Sequence, residues 1–267
     1  MKYKLIASDM DGTLVNDKSE LTERTKQAII NTVKSGVLFV TATGRPFSNT
    51  QMVNELFTED MPFIVLNGAA TYMGKSGKLL FEHYLDFELA KEVYEIGQKL
   101  GIAQVVWTGP QLWANRLCDR TLAYEALGVA KMSVIDDFNT LKTDTEGVSK
   151  VLWIDDPANI RRHSAEMNSR LAGKVTCVSS MAHFLEFISP QAGKGGALEK
   201  LGKIYGIDSS EMIAVGDSYN DISMLEYAGL SVAVANAVDD VLKSCDHITS
   251  SNENDGVAEV IEKFVLN

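Results

Sequence analysis

Apolar residues along this chain gather in short unbroken runs instead of alternating with polar ones. Leu5 to Ala7, Val37 to Val40, Phe63 to Leu66 and Met212 to Val215 are each bounded by a polar or glycine turn. Runs of that length without alternation predict strands buried on both faces, as in a parallel sheet. Helical patterns lie between them. Thr22 to Ser35, for example, opens on a capping residue and is closed by Gly36. Strand and helix alternate, so the chain reads as an α/β fold around a central parallel sheet.

The texture changes after Asn67-Gly68. Thr71 to Met73, Gly74-Lys-Ser-Gly77 and Leu79 to Phe81 read as a hairpin, which antiparallel strands allow. A helix then follows with Leu89, Val93, Ile96 and Leu100 on one face. Ile102 to Trp107, Lys131 to Ile135, Val151 to Ile154, Val175 to Ser179 and Phe184 to Ile188 read as strands, with a helix from Pro157 to Leu171 among them. A second α/β unit is therefore expected to be inserted into the first: residues 1–83 and 190–267 form the core, and residues 84–189 the insertion.

A chain of 267 residues, 45% hydrophobic, is long enough to bury cores for both units. Its formal charge of -11, from 36 acidic and 25 basic side chains, repels nucleic acid and anionic lipid over most of the surface. A small phosphorylated metabolite is not excluded, because an anion site needs only a few local positive groups and a metal ion. Cys118, Cys177 and Cys245 are odd in number and widely spaced, which suggests neither a disulfide framework nor a zinc site; they read as small buried hydrophobes. The first apolar run is too short for a signal peptide, and no stretch approaches a membrane span, so the cytoplasm is the expected compartment.

Candidate chemistry sits at the carboxyl ends of the predicted strands, where open α/β sheets bind ligands. The first strand ends in Asp9-Met-Asp11-Gly12-Thr13. Two carboxylates so close repel one another unless one is protonated or a cation lies between them, and hard oxygen ligands suit Mg2+. Gly12 lets the chain turn away and leave both acids facing the crevice. The second strand ends in Thr41-Ala-Thr43-Gly44-Arg45, which offers a hydroxyl and a guanidinium able to grip phosphate; alone, it reads equally as a helix cap and a surface arginine. Lys194, flanked by glycines at the start of a helix, opposes the helix dipole unless carboxylates or an anion lie nearby. A fourth strand opens onto Gly216-Asp217-Ser218-Tyr-Asn220-Asp221. Helix capping would account for one of those acids and leave the other without a reason.

Taken in order, these four segments resemble the motifs of the haloacid dehalogenase superfamily. The insertion between the second and third, with Asn67-Gly-Ala and the stretch Asn252 to Val257, is similar to the Cof-type branch, whose C2-type α/β cap marks sugar-phosphate phosphatases. The resemblance runs nearly end to end and is weakest in the cap. It implies a Rossmann-like core, with Asp9 as nucleophile and Asp11 as general acid and then base. Thr43 and Lys194 would hold phosphoryl oxygens. Asp217, Asp9 and the Asp11 carbonyl would hold Mg2+, while Asn220 and Asp221 would order the metal's waters and Lys194. Arg45 is carried over as a substrate or gate contact, with Gly12, Gly44 and Ser218 supporting, and Asn236 fits a position near the site. Gln191-Ala-Gly stands before Lys194 where the family more often has Gly-Val-Ser, which bears on the shape of that loop.

The expected reaction is phosphate monoester hydrolysis through an aspartyl-phosphate, in the presence of Mg2+. The cap is expected to close over the site and select the substrate. Trp107, Trp113 and Arg116 could contact a sugar, although core packing for the tryptophans and a solvated face for Arg116 weigh more. His83, His163, His183 and His247 form no ligand pattern. Two rival activities share the same acids: a sugar phosphomutase or phosphotransferase, and a receiver-like phospho-switch, although receivers are shorter and lack the cap.

Overall fold

A computed structural model of the chain describes residues 2–109, 111–127, 131–144 and 147–267. In chain order its strands are β1 (Leu5–Ser8), β2 (Leu38–Ala42), β3 (Pro62–Val65), β4 (Ala70–Met73) and β5 (Leu79–Glu82). Next come β6 (Ala103–Thr108), β7 (Gln111–Ala114), β8 (Met132–Val134), β9 (Lys150–Ile154), β10 (Thr176–Val178) and β11 (Phe184–Ile188). The last three are β12 (Met212–Gly216), β13 (Leu230–Val234) and β14 (His247–Thr249). The chain divides into two compact units, Met1–Phe81 with Gly193–Asn267, and Glu82–Ala192.

The first unit is built on an eight-stranded sheet in the order β14-β13-β12-β1-β2-β3-β4-β5. From β14 to β3 every pairing is parallel, and β3 turns back antiparallel into β4. This is the α/β fold with a mostly parallel sheet that the apolar runs predict. Leu5, Ile6, Phe39, Val40, Ile213 and Val215 are fully buried, and each such side chain contributes about 1.5–3 kcal/mol. In register, Ser8 lies beside Thr41 on one side and Val215 on the other. The three strands therefore end level, and the loops leaving β2, β1 and β12 emerge side by side. The helix Glu23–Lys34 starts on Thr22, whose hydroxyl accepts the Thr25 N–H at 3.1 Å.

The second unit carries a six-stranded sheet in the order β10-β11-β9-β6-β7-β8, antiparallel except between β7 and β8. Its helix Phe87–Lys99 buries Ala90, Val93, Tyr94 and Gly97, not the expected stripe through Leu89, Ile96 and Leu100. The rotation has a packing cause: the Gln104 side chain lies against the Gly97 backbone, where a methyl group would come within 2.5 Å, and it donates to Tyr94 O. Leu100 is left outside, half exposed. Among the described residues, no helix is long and apolar enough to cross a membrane.

Candidate active site

The site lies wholly in the first unit, at the carboxyl ends of β1, β2 and β12. Asp9 follows the last residue of β1 and extends its ladder, donating its N–H to Val215 O at 3.0 Å. The chain then turns sharply through Gly12, whose φ of +75° suits a residue without a Cβ. Space imposes the same choice, since a methyl group there would sit 2.8 Å from Asp217 Oδ2. Thr13 donates its hydroxyl to Asp217 Oδ1 at 2.7 Å, which ties the first strand loop to the one after β12. The Asn236 amide donates to Gly12 O at 2.7 Å and braces the turn from outside.

Lys194 is the centre of the arrangement. It opens the helix Lys194–Tyr205, is wholly buried, and its Nζ lies 2.6 Å from Asp9 Oδ1 and 2.6 Å from Asp221 Oδ1. The expectation that a cation at this helix start needs carboxylates nearby is thus met twice over. The other Asp221 oxygen accepts the N–H groups of Asp217 and Ser218, each at 3.0 Å. Asp221 is therefore a brace for Lys194 and for the loop after β12. Gly216 makes room for it, because a Cβ there would come within 2.6 Å of the Asp221 side chain.

Electrostatics follow from this burial. Burial first, then the Asp221 carboxylate, hold Asp9 well above the ordinary carboxylate value, against the pull of Lys194. Burial and Asp221 likewise raise Asp217. Burial works against the charge on Lys194, but Asp221 and Asp9 outweigh it and hold the ammonium above its usual value. Asp9, Asp217 and Asp221 each place an oxygen within 4.8 Å of the others. Three acids against one buried lysine leave excess negative charge in a dry place, which a divalent cation with hard-oxygen preference fits.

The other expected residues fall as follows. Thr43 is buried, and its Oγ1 accepts the Arg45 N–H at 3.1 Å, so the hydroxyl proton can point elsewhere. Arg45 grips Asp11 with both arms of its guanidinium, Nε to Oδ2 at 2.8 Å and Nη2 to Oδ1 at 2.5 Å. The Asp11 side chain is thereby half exposed and outside the acid cluster. Asn220 donates to Asn67 Oδ1 at 3.0 Å. Gly44 lies under that same amide, where a Cβ would be tightly placed at 3.1 Å from Asn67 Oδ1. Reading the residues alone misses Thr13 and the Arg45–Asp11 pair; the only signal for Thr13 was a hydroxyl directly after the glycine turn.

In the second unit, Trp107 is buried with Nε1 donating to Tyr124 OH at 3.2 Å, and Trp113 donates to Thr108 Oγ1 at 2.8 Å. Arg116 is exposed and donates to Gly101 O at 2.6 Å. The three cysteines are free but only partly buried, short of the full burial expected. Of the histidines, His83 and His163 are buried, and no histidine joins a metal-ligand cluster among the described residues.

Comparison with known proteins gives a consistent picture. A family model described as haloacid dehalogenase-like hydrolase matches residues 6–261. The chain is 32% identical over 268 residues to YxeH of Bacillus subtilis (strain 168), covering 99% of each. It is 28% identical over 292 residues to the 5-amino-6-(5-phospho-D-ribitylamino)uracil phosphatase YwtE of the same organism, covering 98% of each. The crystal structure of a haloacid dehalogenase-like hydrolase from Bacteroides thetaiotaomicron superposes with a TM-score of 0.81 at 32% identity, over 98% of this chain and 99% of that one.

Proposed function

Because the chain belongs to the haloacid dehalogenase-like hydrolases and is a phosphoric monoester hydrolase, we propose that it cleaves small sugar or polyol phosphates through a phosphoryl group carried on Asp9. The observation that carries the reading is Lys194, buried and bonded at 2.6 Å to both Asp9 and Asp221. Folding alone gives little reason to bury a lysine among three carboxylates, since removing charges from water costs several kcal/mol per ion. Once a divalent cation offsets the excess acids, the same lysine has a use, neutralising phosphoryl oxygens beside a nucleophile.

Each step uses a residue already placed. An Asp9 carboxylate oxygen attacks phosphorus, the ester P–O bond breaks, and Asp11 gives its proton to the departing alkoxide. Water then attacks the same phosphorus while Asp11 takes its proton. The P–O bond to Asp9 breaks, and inorganic phosphate leaves with Asp9 restored. Lys194 keeps Asp9 oriented and neutralises phosphoryl oxygens, and Thr43 donates its hydroxyl to one of them. Asn220 contributes an amide N–H to the same group.

Mg2+ is the proposed cofactor; Asp9, Asp217 and the backbone carbonyl of Asp11 would hold it, with Asp221 engaged instead by Lys194 and two amides. When bound it supplies positive charge for the oxygens that gain negative charge in the transition state. Arg45 links substrate arrival to Asp11. A phosphate dianion offers its guanidinium the same pair of oxygens that Asp11 offers now, so an exchange of partners frees Asp11 for the leaving group.

YwtE supports the substrate class, since the compound in its name bears its phosphate on a ribityl chain. The small phosphorylated metabolite is the only partner this chemistry needs, and a cytoplasmic setting is part of the proposal. The test is a panel of phosphate monoesters, assayed for inorganic phosphate with Mg2+ and with EDTA. Release from sugar or polyol phosphates without an added acceptor, abolished by EDTA, is the expected result. Transfer to an added sugar without net phosphate release would replace hydrolysis by phosphotransfer.

A further inference from the structure

Asn67-Gly68, singled out by resemblance and given no part in the chemistry above, lies where the strand-end loops meet. Leu66, Asn67 and Gly68 all have left-handed backbone, at φ +51°, +56° and +88°, and all are buried. Asparagine tolerates that conformation and leucine does not, so the surroundings must impose it. Strain of this kind in a buried loop concentrates at functional sites.

The surroundings are the motif loops themselves. Leu66 N–H donates to Arg45 O and Asn67 N–H to Thr43 O, both at 3.0 Å. The Asn67 amide fills the space over Gly44, where a Cβ would lie 3.1 Å from its Oδ1. Gly68 packs so closely on the residue before Lys194 that a Cβ would meet Gly193 backbone atoms at 2.3 Å. From this clamped position Asn67 Oδ1 accepts an N–H of Asn220. A carboxamide turned by half a rotation exchanges its donor for its acceptor, so a fixed acceptor at one N–H decides what the rest of the group presents.

We propose that Asn67 is a positioning residue, holding the Asn220 carboxamide so that its remaining N–H faces the phosphoryl group on Asp9. The inference rests on the function proposed above. It assigns to Asn67 a purpose for its strained backbone: a rigid acceptor tied at once to the Thr43, Arg45 and Lys194 loops.

The test is a double-mutant cycle with p-nitrophenyl phosphate and Mg2+, reading kcat, KM and Tm. Asn67→Gly keeps the left-handed backbone and removes the acceptor. It is expected to leave Tm unchanged and lower kcat by about tenfold, the scale of one oriented hydrogen bond. In an Asn220→Ala background, the same substitution is expected to lower kcat no further. Asn67→Asp keeps an acceptor and adds charge, so kcat is expected to stay near wild type while KM rises. Equal losses in both backgrounds, an unaffected Asn67→Gly enzyme, or an Asn67→Asp kcat as low as that of Asn67→Gly would each overturn the proposal. A wild-type protein that releases no phosphate from any monoester would bring down the proposed function and this inference with it. An active wild type beside an unaffected Asn67→Gly removes the inference alone.

Discussion

Gly12→Ala tests how the turn after Asp9 sets the acids proposed to bind the metal. Two costs can be worked from the geometry. At φ +75° an alanine sits in left-handed backbone, at about 1–2 kcal/mol. Its methyl group would also begin 2.8 Å from Asp217 Oδ2, so the carboxylate has to retreat by about half an ångström to reach ordinary contact. That movement strains the 2.7 Å hydrogen bond from Thr13, whose loss to a charged acceptor is worth about 1.5–3 kcal/mol. Together these come to about 2.5–5 kcal/mol, or roughly 10 °C in the Tm of a unit this size. Misplacing the proposed metal ligand Asp217 on that scale is expected to lower kcat by about 10-fold to 10²-fold and raise the Mg2+ concentration needed for half-maximal rate. The assay is phosphate release titrated with Mg2+, beside thermal unfolding in EDTA. Thr13→Val, which removes only the hydrogen bond, is expected to show the smaller effect. A Gly12→Ala enzyme with wild-type Mg2+ half-saturation would refute the claim that the turn places Asp217.

Asp9→Asn is expected to abolish turnover without loss of folding, and Asp11→Asn to slow it by about 10²–10⁴-fold; near-normal phosphate release from Asp9→Asn would remove Asp9 as nucleophile. Lys194→Met leaves Asp9 and Asp221 buried without their shared cation, so stability in EDTA at neutral pH is expected to fall by about 3–5 kcal/mol. Urea unfolding checks this, and an unchanged midpoint would show that the ion pairs carry no stability. The raised Asp9 and Asp217 fix the sign of a pH effect. Acids whose folded values lie above the ordinary 3.8 stabilise the metal-free protein fully below that pH, and lose that contribution as pH rises through the raised values. The proposed Mg2+ binding needs them ionised, so the Tm gain from Mg2+ over EDTA is expected to grow as pH rises from the ordinary carboxylate range through the raised values; a gain that does not change with pH would refute it.

The fold was legible wherever burial writes an unambiguous pattern. Strands β1, β2, β3 and β12 are covered on both faces and appear in the sequence as unbroken apolar runs, and the helix from Glu23 carries its start and stop in Thr22 and Gly36. Much of what escaped, though not β13 or the nine-residue helix Gly256–Phe264, is short or set by one neighbour. The strand Gln111–Ala114 and the helix Asp119–Glu125 have too few residues for a period to declare itself, and the helix opens on Cys118 instead of a usual cap. The stripe on Phe87–Lys99 is displaced by a single packed glutamine.

The site was legible for a different reason. Adjacent parallel strands that end level must bring their following loops together, so the acids read at the β1 and β12 tips and the Thr43 hydroxyl at the β2 tip converge without any knowledge of side-chain rotamers. Rotamers decide the remainder. Arg45 and Asp11 leave different strand ends, and sequence spacing cannot state whether the guanidinium faces Asp11 or the crevice; in the structure it faces Asp11. The left-handed backbone at Leu66 is invisible for the opposite reason. Local preference argues against it, and only the hydrogen bonds donated to the Thr43 and Arg45 carbonyls, together with the packing against Gly193, make it the conformation that folding selects.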